Sequence, residues 1–361
     1  MKILVLFVEP MLYGMDLIHE VYENTEHTYQ YIYCKNKLTG KDDILLPNNA
    51  FVCSGTEKEH KKQVISILRR FNPDFVIING YVGKEQTTAI RYCQKHHMPY
   101  AIESDTPLHI PKNKLIAVLK KIYLRRLLSN PYCYGFPGGT PQRENLIYYG
   151  VTETKNFIMP MCVSEERLLK ASELIPSKKE LKNIYQLSGK KVFLFVGRLE
   201  SVKNVKLLIN AFEKLKKQYT NSALVIIGDG SEMSLLKKLV KDKCIEDIYF
   251  YGYIVFPEII VFYKMADIFV LPSNYEPWGL VINEAMIMNL PVVISSAVGC
   301  GKDLLRNGEN GFVFDNNNEN ALVECLRKVY DFNVKYKATD TWNYQTYLKD
   351  FKDVVKRICE K

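Results

Sequence analysis

Between residues 192 and 314, short apolar runs alternate with amphipathic segments at a regular pace. The runs are VFLFVGR (Val192–Arg198), SALVIIG (Ser222–Gly228), DIYFYGYI (Asp247–Ile254), ADIFVLPS (Ala266–Ser273), PVVISSA (Pro291–Ala297) and GFVF (Gly311–Phe314). Continuous runs of this length are typical of parallel strands covered on both faces. The helix-like segments are Val205–Gln218, Ser231–Lys241, Pro257–Met265, Leu280–Met288 and Asn320–Tyr330. The alternation predicts a doubly wound α/β sheet that binds its ligands at the carboxyl ends of the strands.

The first half repeats this pattern more loosely. The predicted strands are Ile3–Val8, Tyr29–Cys34, Asp74–Asn79, Pro99–Glu103 and, as the last one, Phe157–Met161, with helices at His60–Arg70 and Glu85–Lys95. The polar stretch Ser164–Lys190 is the predicted hinge region, and Trp342–Cys359 is a terminal amphipathic helix. Since a domain takes about 150 residues, 361 residues suit two. We predict two Rossmann-like domains facing a cleft, with bounds of 1–164 plus about 342–361 and of 165–341.

Composition excludes several classes of protein. The chain is 47% hydrophobic and 25% charged, which is typical of a soluble globular protein. The closest of its nine cysteines are Cys34 and Cys53, so it has neither a CxxC site nor a dense disulfide framework. We expect buried, reduced thiols in a cytoplasmic protein. The opening MKILVLFVEP predicts a first strand rather than a secretory leader.

The positive charge is local. The whole chain carries a net charge of +9, and residues 1–164 hold 20 basic and 15 acidic residues. Six of those bases lie between Lys112 and Arg126, where there is no acid. Charge confined to one segment indicates a function of that segment and not a general affinity of the chain for nucleic acid. We therefore expect no nucleic-acid partner.

The turn GRLESVKN, residues 197–204, follows a predicted strand and leads into a helix. Arg198 and Lys203 flank this turn, so both cations can point to the place where the strand ends. Arginine offers a bidentate fork to phosphate oxygens, and lysine offers a movable point charge. The alternative is that both are solvated residues of an ordinary loop.

A second such turn is YEPWGLVINEA, residues 275–285. Gly279 allows a ligand close to the backbone, and the helix that begins there presents amide groups and the positive end of its dipole. Glu276 precedes this helix and Glu284 lies inside it. A carboxylate in such a place can accept hydrogen bonds from a vicinal diol such as that of a ribose. Two glutamates eight residues apart would mean nothing without this placement opposite the basic turn.

The order GRLESVKN, IIGDG, FYGYI, ADIFVLPSNYEPWGLVINEA and PVVISSAVGCGKDLLRNGENGFVF, over about residues 190–315, resembles the C-terminal half of the family-4 retaining glycosyltransferases of GT-B fold. The resemblance implies that Arg198 and Lys203 hold the diphosphate of a nucleotide sugar. Glu284, the second glutamate of an E-x7-E motif, would bind the ribose hydroxyls, and Glu276, the first, would contact the donor sugar. It further implies donor contacts from the amides of Gly279 and Leu280, and from the backbone near Ile254 to the base.

The N-terminal half resembles the family only in outline. Many members have a Gly-Gly loop after the first strand, where this chain offers Gly14 alone. Many have a histidine at the end of a middle strand, where this chain reads AIESDTPLHIP. Asp105 or His109 could take that polar role, although a turn residue and a surface residue are the plain alternatives. The remaining candidates, His60, His96 and His97, are expected to be solvated.

The resemblance implies the reaction. The acceptor would attack from the face that the diphosphate leaves, with retention at an anomeric carbon of oxocarbenium character. Cations and a helix N-terminus would stabilise the departing charge, so we expect no metal and no other cofactor. Glu103 and Asp105 are spaced as in a D-x-D pair, but no third ligand is evident.

The basic segment Lys112–Leu128 has two readings. On a helix, Lys114, Lys121 and Arg125 fall close together, while the apolar residues cluster on another arc. This pattern is typical of an interfacial helix on anionic lipid, and it is equally typical of a packed helix with a solvent-exposed basic edge. Relatives that build cell-surface glycans often use such a patch to reach lipid-linked acceptors. The expected setting is therefore cytoplasmic, with a peripheral site on the inner face of the cell membrane.

We thus expect a glycosyltransferase that uses a glycan or lipid-linked acceptor in cell-surface polysaccharide synthesis. One alternative is a nucleotide-sugar 2-epimerase of the same architecture, which should lack the E-x7-E context. Another is a non-catalytic membrane- or nucleic-acid-binding module, which would leave Glu276 and Glu284 without a role. The sugar, the base of the donor and the acceptor are not specified by the sequence.

Overall fold

The computed structural model describes residues 1–35 and 44–360. The chain divides into two compact units, Met1–Val163 with Trp342–Lys361 and Ser164–Thr341. The predicted boundary stood after residue 164, one position later than the boundary between these units. Each unit contains one six-stranded sheet in which every pair of neighbouring strands is parallel.

The first unit holds strands β1 to β6 in the order β3-β2-β1-β4-β5-β6. The strands are β1 Lys2–Phe7, β2 Thr28–Tyr33, β3 Ala50–Val52, β4 Phe75–Asn79, β5 Tyr100–Ser104 and β6 Cys133–Pro137. The helices are α1 Leu12–Glu20, α2 Glu57–Phe71, α3 Lys84–Lys95, α4 Lys114–Leu128 and α5 Thr140–Tyr148, together with the terminal helix α14 Tyr344–Cys359.

The second unit holds strands β7 to β12 in the order β12-β11-β10-β7-β8-β9. The strands are β7 Lys191–Val196, β8 Ser222–Ile227, β9 Ile248–Gly252, β10 Ile268–Leu271, β11 Val292–Ser295 and β12 Gly311–Phe314. The helices are α6 Glu165–Glu173, α7 Lys178–Ile184, α8 Val205–Lys216, α9 Met233–Asp242, α10 Ile259–Met265, α11 Leu280–Ile287, α12 Gly301–Leu304 and α13 Glu319–Val329.

Both sheets have the same topology. In each, the first and fourth strands of the unit are neighbours, and the order of the strands reverses between them. This reversal is the switch point at which open α/β sheets bind ligands, between the loops that leave the two strands. The switch points lie between β1 and β4 in the first unit, and between β7 and β10 in the second.

The central strands are buried because helices cover both of their faces. Residues Ile3 to Leu6 of β1 and Val192 to Phe195 of β7 are fully buried, as expected of continuous apolar runs in parallel sheets. The terminal helix α14 buries Tyr347 and Phe351 in the core of the first unit. The amphipathic pattern of the tail therefore reflects packing on a sheet that lies far away in sequence.

The prediction of a last strand at Phe157–Met161 is wrong. The sixth strand of the first unit is Cys133–Pro137, and the chain near Asn156 makes only an isolated bridge to Gly135. Phe157 and Met159 lie beside β6 and donate backbone hydrogen bonds to it, so this apolar segment is extended without forming a ladder. The short strand Ala50–Val52 was also missed.

The expectation for His60 is corrected as well. Its Nδ1 lies 2.8 Å from Oε1 of Glu85, and both side chains are largely buried between α2 and α3. His96 and His97 are exposed, as expected. The cysteines whose side chains the structure describes are free thiols, and all but Cys244 are buried.

Candidate functional site

The loops that leave β7 and β10 lie side by side at the carboxyl edge of the second sheet. Their strands are paired, with Ile268 opposite Phe193. The backbone amide of Asn274 donates to the carbonyl of Val202 over 2.7 Å, and the side chain of Asn204 donates to that of Asn274 over 3.0 Å. The two motif-bearing loops are therefore fixed to each other at the switch point.

Lys203 and Glu276 form an ion pair across these loops. Lys203 closes a 3-10 turn over Ser201–Lys203, after which Asn204 takes a left-handed conformation and α8 begins. Glu276 is held by its backbone, because its amide donates to Ala297 over 3.2 Å and its carbonyl accepts from Gly299 over 2.9 Å. The side chains of Lys203 and Glu276 are only 14% and 12% exposed, so the pair is partly shielded from water.

Arg198 lies in the same loop as Lys203 but is exposed. The neighbouring Glu200 accepts hydrogen bonds from the hydroxyl and the amide of Ser231 over 2.6 and 3.1 Å. These bonds, with a smaller effect of the Arg198 charge, hold the pKa of Glu200 below its ordinary value. The loop is thus tied to the one after β8, and it presents one exposed and one shielded cation.

The loop after β8 has a role that the sequence analysis did not assign. A Cβ atom on Gly228 would lie 1.8 Å from the carbonyl oxygen of Gly197, and Gly228 has a φ of +136°. Glycine is therefore required where this loop crosses the basic turn. The motif IIGDG contains Gly228, so the sequence did mark this glycine. It did not show the contact with Gly197, because the two residues are far apart in sequence.

Helix α11 begins directly after the loop that carries Glu276. Gly279 caps it in a left-handed conformation, with a φ of +98°, and Leu280 is its first residue. The buried Trp278 anchors this entry by donating from Nε1 to Oδ1 of Asn283 over 3.0 Å. The positive end of the helix dipole therefore lies at the same edge of the sheet as Lys203.

Glu284 lies in the second turn of α11, where it is half-buried. The hydroxyl of Tyr263, on α10, donates to its Oε2 over 2.6 Å. Ile254 follows β9 and is also half-buried, beyond the carboxyl end of that strand. The donor-binding residues predicted for the second unit therefore share one edge of one sheet, and Lys203 and Glu276 are in direct contact.

A cavity lies at the switch point of the first unit. Its walls combine apolar and hydrogen-bonding side chains: Tyr13, Leu17, Asn79, Glu103, Ser104, Asp105, Gly138, Met159, Pro160, Met161, Cys162, Tyr344 and Tyr347. Asp105 lies in the wall of this cavity and is exposed, and its concave surroundings exclude part of the water and raise its pKa.

Glu103 is a half-buried acid of this cavity, and it was not among the predicted site residues. It accepts hydrogen bonds from Asn79 over 3.1 Å and from the hydroxyl of Tyr347 over 3.3 Å. Burial raises its pKa, and the charge of Asp105 adds to the effect. A carboxylate at the end of a strand buried on both faces was the available signal.

Two predicted site residues of the first unit do not line this cavity. The prediction that Gly14 lies in a loop after β1 is wrong, because α1 begins at Leu12 and Gly14 is buried in its first turn. His109 is exposed and does not line the cavity. Its carbonyl accepts from Lys120 over 3.1 Å, so the segment lies against α4. Of the two alternatives, only Asp105 reaches the switch point.

Helix α4 carries an unusual surface. Six large apolar side chains are between 45% and 68% exposed: Leu115, Ile116, Val118, Leu119, Ile122 and Tyr123. Lys114, Arg125 and Arg126 are also exposed. Lys121, by contrast, lies 4.2 Å from the ring centre of Tyr148 and is half-buried. Of the three basic residues predicted to lie together, Lys114 and Arg125 are thus exposed and Lys121 is not. The predicted apolar arc faces solvent.

In residues 1–35 and 44–360, no three His, Cys, Asp or Glu side chains are grouped so that they could hold a metal ion. None of the helices in the described part of the chain has the length and apolar character needed to cross a membrane.

Comparison with known proteins supports the assignment of the second unit. Residues 177–346 match the family model of the group 1 glycosyl transferases. An uncharacterized glycosyltransferase of Haemophilus influenzae is 30% identical over 219 residues, which are 58% of this chain and 61% of that protein. The alpha-monoglucosyldiacylglycerol synthase of Acholeplasma laidlawii is 30% identical over 171 residues, 47% of this chain and 42% of that enzyme. The chain thus spans less than two thirds of either relative.

Solved structures extend the likeness to both units. The Anabaena protein Alr3699/HepE, crystallised with UDP and glucose, has a TM-score of 0.73 at 16% sequence identity. The likeness covers 99% of this chain and 100% of that protein. Together with the two six-stranded parallel sheets, it confirms the predicted α/β GT-B fold.

Proposed function

We propose that this protein is a retaining, metal-independent glycosyltransferase that uses a nucleotide-diphosphate sugar as donor. The observation that carries the proposal is the ion pair of Lys203 and Glu276 at the switch point of the second sheet, beside the start of α11. A cation and a carboxylate side by side suit a ligand that has a phosphate next to a sugar. The match of the same unit to the group 1 glycosyl transferases supports this reading.

Departure of the nucleoside diphosphate would develop negative charge on phosphate oxygens. Arg198, Lys203 and the amide groups of Gly279 and Leu280 would stabilise that charge without having to rearrange. Glu276 would hold hydroxyl groups of the donor sugar, since its carboxylate adjoins the phosphate cation. Glu284 would accept hydrogen bonds from the ribose hydroxyls, and the backbone near Ile254 would meet the base.

The acceptor would be a glycan or a lipid-linked molecule of cell-surface polysaccharide synthesis. Asp105 is our candidate for the polar partner from the first unit, because it reaches the cavity at that unit's switch point. His109 has no such support.

The decisive experiment is a screen of nucleotide sugars with product analysis. UDP-glucose is the first donor to test, because the similar Anabaena structure contains UDP and glucose. We expect slow hydrolysis without acceptor, and release of a sugar that keeps the anomeric configuration of the donor, read by proton NMR before mutarotation. Inverted product would contradict retention, and a 2-epimer still attached to the nucleotide would favour the epimerase.

We also propose that α4 attaches the protein peripherally to an anionic lipid surface. The exposed apolar side chains and the exposed Lys114, Arg125 and Arg126 are complementary to such a surface. Each basic residue close to anionic lipid contributes about 1 kcal/mol, and salt screens this attraction. The chemistry favours lipid over a soluble partner because aliphatic side chains and cations lie on one helix.

Co-sedimentation with phosphatidylglycerol vesicles tests this partner. We expect binding that weakens as salt rises and that is much lower with phosphatidylcholine vesicles. The variant with Leu115→Ser and Leu119→Ser should lose it, whereas Leu235→Ser, at another exposed leucine, should not. Equal binding by all variants would contradict the proposal. If the protein dimerises in solution and the double variant does not, the exposed surface of α4 binds a second copy of the chain instead.

A further inference from the structure

Tyr263 lies directly behind the candidate ribose-binding residue. It belongs to α10 and is fully buried. Its ring stacks on that of Phe269 in β10, with centroids 5.8 Å apart and planes 21° from parallel. Its hydroxyl donates to Oε2 of Glu284 over 2.6 Å. The position of this hydroxyl is therefore set by a packed helix and a central strand.

The direction of this hydrogen bond is fixed by chemistry. Burial raises the pKa of Tyr263 well above its ordinary value, and the charge of Glu284 raises it further. The phenol therefore keeps its proton and acts as the donor, with the carboxylate as acceptor. A glutamate carboxylate otherwise rotates broadly about its last torsion, so a fixed donor at one oxygen restricts where the other oxygen points.

We propose that Tyr263 is a positioning residue that orients the Glu284 carboxylate towards the ribose and thereby sets a preference for ribonucleoside diphosphates. The inference rests on the proposed function, because it takes Glu284 as the group that binds the ribose hydroxyls. It adds a specificity-determining residue that touches no substrate. A phenylalanine would fill the same space and stack on Phe269, so packing alone does not require the hydroxyl.

The test compares two ligands that differ only in the ribose hydroxyls. Calorimetric titration of the full chain with UDP, GDP and ADP identifies the nucleoside diphosphate that it binds best. The 2′,3′-dideoxy form of that diphosphate is then titrated. Because hydrogen bonds to a charged group are lost, the wild-type chain should bind the dideoxy form more weakly, by a factor on the order of ten.

Tyr263→Phe should weaken binding of the ribonucleoside diphosphate by about tenfold, the expected effect of losing one charge-assisted hydrogen bond. Binding of the dideoxy form should be unchanged, so the variant should barely distinguish the two ligands. In the Glu284→Ala background, Tyr263→Phe should have no further effect on either affinity, because the group that it orients is gone.

The matched control is Tyr249→Phe. It removes a 3.0 Å hydrogen bond from a tyrosine hydroxyl to the Asp247 carboxylate in the same unit, but at the amino end of β9. Both affinities should stay at the wild-type values. This control separates loss of a tyrosine hydroxyl bonded to a carboxylate in general from loss of the one that faces Glu284.

Each other outcome overturns a stated part of the account. Equal weakening of both ligands by Tyr263→Phe would show a merely structural role, and unchanged affinities would show no role in binding. Either result contradicts the inference if Glu284→Ala weakens the ribonucleoside diphosphate. If Glu284→Ala leaves that affinity intact, or if no nucleoside diphosphate binds, the proposed site itself is wrong.

Discussion

Lys203 and Glu276 form an ion pair that joins the loop after β7 to the loop after β10. The two residues are 73 positions apart in the chain, and they meet because their strands are neighbours in the sheet. Taking charges out of water is costly unless they are paired, and in this pair each charge has the other as its partner. The Lys203 ammonium thus lies beside the start of α11, where we place the diphosphate.

Glu276→Gln should impair transfer of the sugar without weakening binding of the nucleoside diphosphate. If Glu276 contacts only the donor sugar, the variant should bind the free nucleoside diphosphate about as well as the wild type. Its kcat for transfer or hydrolysis should fall about 10- to 150-fold, the range for losing a hydrogen bond to a charged group. Calorimetry and a hydrolysis assay measure the two effects separately.

Equal loss of affinity for the nucleoside diphosphate and the nucleotide sugar would contradict this division of roles. It would mean that the ion pair acts by holding Lys203 in place. Glu258→Gln is the matched control, since this exposed glutamate lies just before α10, and it should change neither quantity.

Glu103 should make the first unit less stable as pH rises. Its pKa in the folded chain is raised by burial, so the folded state holds the proton more tightly than the unfolded one. Stability should therefore fall as pH rises from the ordinary value of about 4.3 through the raised value. Glu103→Gln should reduce this slope, because only the contribution of Asp105, whose pKa is also raised, then remains; hydrogen exchange of the β4 and β5 amides, corrected for the intrinsic rate, measures the slope.

The exposed Glu26→Gln should keep the wild-type slope. If Glu103→Gln shows the same dependence on pH as both of these proteins, the Glu103 carboxyl does not titrate as its surroundings indicate. In that case the hydrogen bonds from Asn79 and Tyr347 outweigh its burial.

Gly228→Ala should destabilise the second unit. Its Cβ would collide with the carbonyl oxygen of Gly197, and the left-handed backbone adds strain on the order of 1–3 kcal/mol. Gly189→Ala is the matched control, because Gly189 has a φ of +75° but no atom within 4 Å of the added Cβ. Thermal unfolding should show the larger loss for Gly228→Ala, and equal losses would contradict a tight crossing of the two loops.

Transfer activity should survive excess EDTA. We assign stabilisation of the leaving diphosphate to Arg198, Lys203 and the start of α11, which a chelator does not remove. The assay compares initial rates with and without EDTA, and then with added Mg²⁺ or Mn²⁺. Loss of activity that the added metal restores would contradict the proposed phosphate site.

The second unit could be predicted closely because its strands are continuous apolar runs. Each run predicts a strand. Because parallel strands all end at the same edge of the sheet, the residues that follow them lie at that edge. This placed Arg198, Lys203, Glu276 and Glu284 together without knowledge of any contact. The strand order that makes Lys203 and Glu276 direct neighbours was not predicted, because nothing local in the sequence determines it.

The first unit was predicted less well for specific reasons. Phe157–Met161 is apolar enough for a strand, but the structure uses it as an extended segment beside β6. Glu103 was missed as a site residue because its partner Tyr347 comes from the terminal helix, far away in sequence. Tyr263 was missed in the second unit for a similar reason, since an apolar helix pattern does not show which hydroxyl meets a carboxylate.

Binding of nucleoside diphosphates to single-site variants tests the central claim most directly. The claim is that the carboxyl edge of the second sheet binds the nucleotide of the donor. Calorimetric titrations of UDP, GDP and ADP should give one clear binder, and Lys203→Ala and Glu284→Ala should each weaken it about 10- to 150-fold. Lys206→Ala, at an exposed lysine on the first turn of α8, should leave the affinity unchanged. Wild-type affinity in both Lys203→Ala and Glu284→Ala would contradict the account.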